Sequence, residues 1–490
     1  MKGAIACGNR YTAQAAIEIL EAGGNAFDAL VAAAFASGVA EAALTSLGGG
    51  GFALIRQAGE EKTLIYDFFV NTPGLGLKER PQNLDFRTVT VQFPASSQDF
   101  HIGLASVAVP GTLKGLVELH KDLGRLPLKE VVSPAIRFAE EGFEIDEFQA
   151  YCFKLLTPIF TSEPEIRSIF CPKGRPPKAG EILKNSSLAS FLEDLPDSLE
   201  EFYQGSIAVE LVKLMQESGG LLTIEDLSTY KVIRREPLRF TFAKGVLLTN
   251  PPPAFGGGLV ALSLKLFEEY FSQGEFLSEA HLKALTQALY NVHRLREEVI
   301  KDEPKEILAL LRSSKASRGT THISVMDAEG NLGALTMTFG EASGFIAPGT
   351  GIVLNNIMGE DDLHPRGFFA DPPGKRISSM MAPALLVQPR VQTVLGSGGS
   401  KRIRSAIFEV VVNLAYFGLS PKEAVNGPRL HFDGELLQVE PGVPEEVLKN
   451  LTVPYNIWPV RDLYFGGVHL VNNRFEGAGD PRRAGVFEKI

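Results

Sequence analysis

Cysteine is scarce: Cys7, Cys152 and Cys171 are the only three in 490 residues. They form no CxxC pair, and an odd count argues against a disulfide framework. No zinc-ligand spacing and no HExxH occurs, and the eight histidines do not cluster, so no metal and no other cofactor is expected. Each histidine then reads as a structural or surface residue. There is no Lys/Arg-rich run and the net charge is −10, which excludes nucleic acid and anionic membrane as expected partners. No unbroken apolar run reaches membrane-spanning length. The start, Met1-Lys2-Gly3-Ala4-Ile5-Ala6-Cys7, is too short and too polar downstream for a signal peptide, so a cytoplasmic location is expected. Nucleophile-elbow GxSxG, internal repeats and low-complexity tracts are all missing.

What is present is the material of a large core. Hydrophobic residues make up 44% and charged residues 22%, a globular balance, and length alone suggests about three domains. Residues 12–42 read as two alanine-rich helices broken at Gly23-Gly24-Asn25, with Asn25 capping the second. That second helix is apolar nearly all round, the mark of a buried helix. Four glycines at 48–51 lead into a strand and imply close backbone approach to a ligand or to another segment. They are not a P-loop, because no Lys-Ser/Thr follows and no helix begins there.

Further along, 84–101 mixes turn and strand signals in a stretch that could cover a site. Residues 112–123 read as a helix, and 124–235 as helical and charged, with capping signals at Ser133-Pro134 and at Thr223 to Asp226. Segment 250–258 runs from prolines into glycines and opens another helix. Small polar residues at 313–318 predict an exposed, mobile stretch. A short strand is expected at 352–356 and further strands at 384–387 and 392–395. The latter ends in Gly396-Ser397-Gly398-Gly399-Ser400 before a helix at 403–417. A strand–glycine–helix junction aims backbone N–H groups at a common point, which suits an oxyanion. Ser420-Pro421-Lys422-Glu423 starts one more helix.

Residues 319–339 read as a β-hairpin about a turn at 327–331, with Gly330 at a left-handed position. Pairing about Glu329 sets Thr320 opposite Thr338, about 5 Å apart on one face. A bulge at Gly330 would shift that register by one residue. A threonine becomes a nucleophile if its own α-amine takes the proton, and that amine must first be freed by cutting the chain before it. Gly319 lets the peptide bend so that Thr320 Oγ can approach its carbonyl. An ordinary hairpin with threonines chosen for strand propensity fits the same string; the rest of the chain decides between them.

Taken in order, ten stretches resemble the γ-glutamyltranspeptidase family of N-terminal nucleophile hydrolases. They are 21–29, 47–55, 109–111, 225–227, 250–258, 320–327, 354–356, 378–380, 396–403 and 427–429. The resemblance implies an α+β fold, a four-layer αββα sandwich. It also implies self-cleavage between Gly319 and Thr320 into a large piece, 1–319, and a small piece, 320–490, that stay associated as one intertwined domain. A homodimer of that pair is a further assembly it allows. By resemblance Thr320 is the nucleophile, Thr338 supports it, and Ser378 and Ser379 hold a substrate carboxylate. The oxyanion donors fall on Gly399 and Ser400, or on Gly398 and Gly399 if the match slides by one.

Four positions depart from the family's pattern. The family's carboxylate-binding arginine is Phe69 here, in Asp67-Phe68-Phe69-Val70. Its amine-binding asparagine, glutamine and aspartate are Gly340, Ile357 and Glu360. Glu360 keeps the charge, with Glu341 and Asp361 as nearby substitutes; Arg80, Arg87 and Arg376 are the arginines that could stand in for Phe69. The expected substrate is a small γ-glutamyl amide of the glutathione type, bound weakly because of these changes. An acylase-like amidohydrolase with another acyl group is the alternative, and an uncleaved, non-catalytic binder the third. Restoring arginine at Phe69 is expected to tighten γ-glutamyl binding if space permits.

Overall fold

A computed structural model describes residues 1–93, 96–302, 319–364 and 366–490. Two sheets stack face to face at its centre. The first has seven strands, in the order Val486–Lys489, Gly3–Cys7, Thr321–Asp327, Leu332–Thr338, Gly50–Arg56, Thr63–Asp67 and Ile233–Arg235. The second has six, in the order Gly477–Ala478, Gly467–Asn472, Val391–Gly398, Ala384–Gln388, Gly245–Thr249 and Leu238–Phe242. Helices Arg10–Glu21 and Ala26–Ala40 cover the first sheet, while Gly256–Tyr270 and Arg402–Tyr416 cover the second. This is an α+β, four-layer αββα sandwich. Both sheets take strands from either side of Thr320, so neither half of the chain can close a sheet alone. Among the described residues the two sheets and their helices form one layered unit rather than the three domains that length alone suggests.

The layering follows from side-chain alternation. Along Thr321–Asp327, Ile323 and Val325 join the core under helix Ala26–Ala40, whereas Met326 joins the core between the sheets. Each is essentially buried, worth roughly 1.5–3 kcal/mol per large apolar side chain. His322 also faces inward, with Nδ1 2.7 Å from Thr336 Oγ1 and Nε2 2.9 Å from Ser324 Oγ. Burial keeps its pKa well below the ordinary value, so this histidine is a neutral structural bridge.

Helix Ala26–Ala40 is buried along its whole length. Its start is a reciprocal cap: Asn25 accepts from the Asp28 N–H while Asp28 accepts from the Asn25 N–H. Thr223 with Asp226 and Ser420 with Glu423 build the same device.

Two local expectations fail for physical reasons. Ser133-Pro134 does not start a helix; it lies inside Leu128–Glu141. Pro134 has no N–H for the Glu130 carbonyl, and Ser133 Oγ donates to that carbonyl instead, at 2.8 Å. Residues 352–356 form no strand, only the isolated bridges Gly48–Leu354 and Ile346–Val353. Their polar groups are served by side chains: Asn355 Nδ2 donates to the Gly48 and Ala108 carbonyls at 2.8 and 2.9 Å. Stretch 313–318, expected to be mobile, lies outside the described residues.

Candidate active site

The hairpin register places Thr321 opposite Met337 and continues to Met326 opposite Leu332. No bulge intervenes; Gly330 takes φ +97° in a turn where Asp327 Oδ1 accepts three successive N–H groups at 3.0 Å. Thr320 and Thr338 therefore meet at the open end. Their hydroxyls converge on one atom. Thr320 Oγ donates to the Gly319 carbonyl oxygen at 2.5 Å, and Thr338 Oγ donates to that same oxygen. The Gly340 N–H, at 3.0 Å, donates to Thr338 Oγ and fixes its orientation. Sequence reasoning pointed Thr338 at Thr320; in the structure its hydroxyl donates to the Gly319 carbonyl beside Thr320.

The four-glycine run serves the site from behind. A Cβ on Gly49 would lie 2.1 Å from the Thr338 carbonyl oxygen, so only glycine permits this approach. Of the two roles expected for these glycines, close contact with another segment is the one observed. On the opposite side, a Cβ on Gly398 would lie 2.4 Å from the Thr320 carbonyl oxygen, which puts the end of strand Val391–Gly398 against Thr320. Gly399 at φ +118° and Ser400 at φ +51° then turn the chain into helix Arg402–Tyr416. A serine in that region is strained, as residues at functional turns often are.

Glu341 and Glu360 both arrive at the open end. Glu341, 1% exposed, accepts the Gly319 N–H through Oε1 at 3.2 Å, and its own N–H donates to Asn356 Oδ1 at 2.8 Å. A Cβ on Gly340 would meet Asn356 Oδ1 at 2.0 Å and Glu360 Oε1 at 2.6 Å, and φ there is +72°. An asparagine at 340 has no room, because Glu360 and Asn356 fill that space. Asp361 is half-buried in the turn Asp361–Leu363. Ser378 and Ser379 are buried on the segment leading into Ala384–Gln388, where Ser379 Oγ accepts the Met381 N–H at 3.1 Å.

Phe69 is fully buried and stacks on Phe52 with ring centroids 5.5 Å apart. Its carbonyl accepts from Tyr230 Oη at 2.7 Å. The space for an arginine, on which the expected gain from Phe69→Arg depended, is absent. The three candidate replacements have other partners. Arg376 donates to Tyr230 Oη and the Lys231 carbonyl, Arg80 to the Phe369 carbonyl, and Arg87 pairs with Asp85 and Glu163.

Two residues that sequence reasoning missed stand beside Thr320. Arg483, 2% exposed, donates through Nη1 to the Thr320 carbonyl at 3.2 Å. Burial lowers its pKa to about 10, so it stays cationic at neutral pH. Glu41 is fully buried and accepts from Thr12 Oγ at 2.7 Å and Thr321 Oγ at 2.6 Å. Burial pushes its pKa up to about 7 against the lowering effect of the two hydroxyls. Glu41 had one available signal, a lone charge closing an otherwise apolar stretch. Arg483 had none, because its partner is 163 residues away. Among the described residues no group of three or more His, Cys, Asp or Glu could hold a metal, and no helix is long and apolar enough to cross a membrane.

A small cavity of about 30 Å³ adjoins Gly319, walled mainly by Leu44, Phe100, Phe148, Cys152 and Leu155, with Glu341 and Arg483 as its polar members.

Comparison with known proteins agrees with this layout. The chain is 31% identical over 481 residues to the acylase ACY 1 proenzyme of Pseudomonas sp. (strain V22), covering 92% of this chain and 86% of the relative. It is 31% identical over 498 residues to the glutathione hydrolase proenzyme of Escherichia coli (strain K12), covering 92% and 84%. The crystal structure of cephalosporin acylase from Bacillus halodurans superposes with TM-score 0.79 at 26% identity, covering 99% of this chain and 95% of that one. The gamma-glutamyltranspeptidase family model matches residues 12–311 and 301–490, and the chain belongs to that family.

Proposed function

We propose that this protein cuts itself before Thr320 and then acts as an N-terminal threonine amidohydrolase on an acyl group other than γ-glutamyl. One observation carries the reading: Thr320 Oγ lies 2.5 Å from the Gly319 carbonyl oxygen, and the Thr338 hydroxyl donates to that oxygen. When Oγ adds to the carbonyl carbon, negative charge grows on the oxygen that Thr338 already holds, which lowers the barrier. Collapse breaks the Gly319–Thr320 amide and leaves an ester on Thr320 Oγ, and the proton goes to the Thr320 nitrogen. Water then hydrolyses that ester, releasing residues 1–319 with a Gly319 carboxylate and freeing Thr320 Oγ, while the amine already exposed by the shift serves as general base for later turnovers. The backbone N–H groups at 398–400 are the matching donors for the substrate oxyanion. Relatives named as proenzymes support the self-cleavage step.

The acyl preference is argued from what fills the family's carboxylate and amine positions. Phe69 is core, Ile357 is fully buried among apolar neighbours, and Gly340 has no room for a side chain. An unpaired substrate charge beside such surface is costly. Similarity to acylases points the same way. Hydrolysis or transfer of a γ-glutamyl group is the second reading, favoured by Glu360 beside Gly340 and by Ser378 and Ser379; it predicts turnover with a high KM.

Intact-mass analysis of freshly made protein tests the first step. Wild type should give pieces 1–319 and 320–490, and Thr320→Ala one uncut chain. A wild type that stays whole while folded refutes the reading. A panel of acyl p-nitroanilides, γ-glutamyl included, tests the second; a micromolar KM for the γ-glutamyl member refutes the acyl preference.

A further inference from the structure

We propose that the small cavity beside Gly319 seats the water that hydrolyses the Gly319–Thr320 ester, and that Glu341 is that water's general base. This rests on the reading that Thr320 cuts the chain, and it assigns the second half of that cut. Addition of Oγ to the Gly319 carbonyl only moves the acyl chain from nitrogen to oxygen. The pieces part when a water reaches the Gly319 carbonyl carbon, and a neutral water attacks slowly unless a side chain takes its proton. Gly319 and Thr320 are both buried, so that water needs a place of its own inside the protein.

The cavity has the size and the polar partners for this. Its volume is about 30 Å³, and one water needs roughly 10–15 Å³ of such space with at least two polar groups to bond. Glu341 offers an acceptor and Arg483 a donor, while the other walls are mainly apolar. Position decides which group takes the proton. The cavity touches Gly319 and Glu341 but not Thr320, so its water meets Glu341 rather than the amine freed on Thr320. Glu341 Oε1 accepts the Gly319 N–H at 3.2 Å, and that nitrogen is two bonds, about 2.5 Å, from the carbonyl carbon. The carboxylate therefore stands one water away from the carbon to be attacked, which is the reach a general base requires. A carboxylate has about four acceptor sites, so it holds the Gly319 N–H and a water together. In the step itself the water oxygen bonds to the Gly319 carbon while its proton passes to Glu341. Charge gathers on the carbonyl oxygen to which Thr338 donates. Collapse breaks the carbon–Oγ bond, and the proton on Glu341 is returned to the departing Oγ. A Gly319 carboxyl group and a free Thr320 hydroxyl remain.

Glu341→Gln separates the two halves of the reaction. Glutamine keeps an oxygen for the Gly319 N–H, so the ester should still form, but an amide cannot take the water's proton. Precursor made by cell-free translation is followed by intact mass with and without neutral hydroxylamine, which splits esters and spares amides, and circular dichroism confirms folding. Wild type should part without hydroxylamine. In Glu341→Gln the unaided release of 1–319 should slow roughly a hundredfold, and hydroxylamine should release that piece from the same sample as the Gly319 hydroxamate. Leu155→Phe leaves Glu341 in place and narrows the cavity from its apolar wall, and should slow the unaided release about tenfold. Wild-type speed in Glu341→Gln, a folded Glu341→Gln chain that stays whole in hydroxylamine, or unchanged release in Leu155→Phe overturns the water site. Those results leave the threonine chemistry standing if wild type still cuts itself, whereas a wild type that stays whole with and without hydroxylamine overturns both.

Discussion

Thr338→Val isolates the element on which the proposed self-cleavage depends. Valine keeps the branched shape and the strand propensity of threonine, so hairpin Thr321–Asp327 with Leu332–Thr338 should survive. Two hydrogen bonds disappear: the donation from Oγ to the Gly319 carbonyl oxygen and the acceptance of the Gly340 N–H at 3.0 Å. The second loss leaves a buried N–H unsatisfied and costs about 1–3 kcal/mol of stability. The first removes a donor from the oxygen that becomes anionic, which costs about 2.7–4 kcal/mol of barrier, or a 10²–10³-fold slower cleavage. The assay is an intact-mass time course on cell-free translated precursor, with circular dichroism to confirm folding. Thr338→Ser, which keeps the hydroxyl, should cleave within several-fold of wild type. Wild-type speed in the valine variant would refute the argument, since the hydroxyl would then be holding no charge.

Three further outcomes follow from individual contacts. Gly319→Ala should slow self-cleavage about a hundredfold, because its Cβ would fall 1.9 Å from the Gly340 oxygen and displace the scissile carbonyl; unchanged kinetics in the same time course would show that the backbone there yields. Phe69→Arg should lower Tm or prevent soluble expression, since it trades a buried aromatic stacked on Phe52 for a buried cation at a cost of several kcal/mol. A normal Tm with a lower γ-glutamyl KM would contradict that. Glu41 keeps its proton up to about pH 7 when folded, against an ordinary value of 4.5, so between those pH values the folded state binds more protons and stability falls as pH rises. The shift corresponds to about 3 kcal/mol. Denaturation of wild type and Glu41→Gln across pH 5 to 8 should show wild type losing ground relative to the variant; parallel pH profiles would mean that the Glu41 carboxyl titrates alike in both states.

The sequence by itself determined the local devices and the hairpin. Alternation along 321–327 and 332–338, a polar turn with Gly330, and caps at Asn25, Thr223 and Ser420 are all short-range, and short-range pattern is what sequence exposes. Pairing Thr320 with Thr338 was therefore legible, and so was the stop of strand Val391–Gly398 in a glycine turn. Only the tertiary structure decided what depends on distant partners. Pro134 reads as a helix start until Ser133 is seen to serve the orphaned Glu130 carbonyl. Phe69 reads as a lost arginine until Phe52 and Tyr230 close around it. Arg483 reads as one basic residue among many until the fold lays it on the Thr320 carbonyl. The emptiness of position 340 acquires a cause only when Asn356 and Glu360 are found in that space. Pattern announces which residues must be buried, whereas the shape of a pocket is set by which buried residues meet, and that is fixed by packing two sheets whose strands come from both ends of the chain.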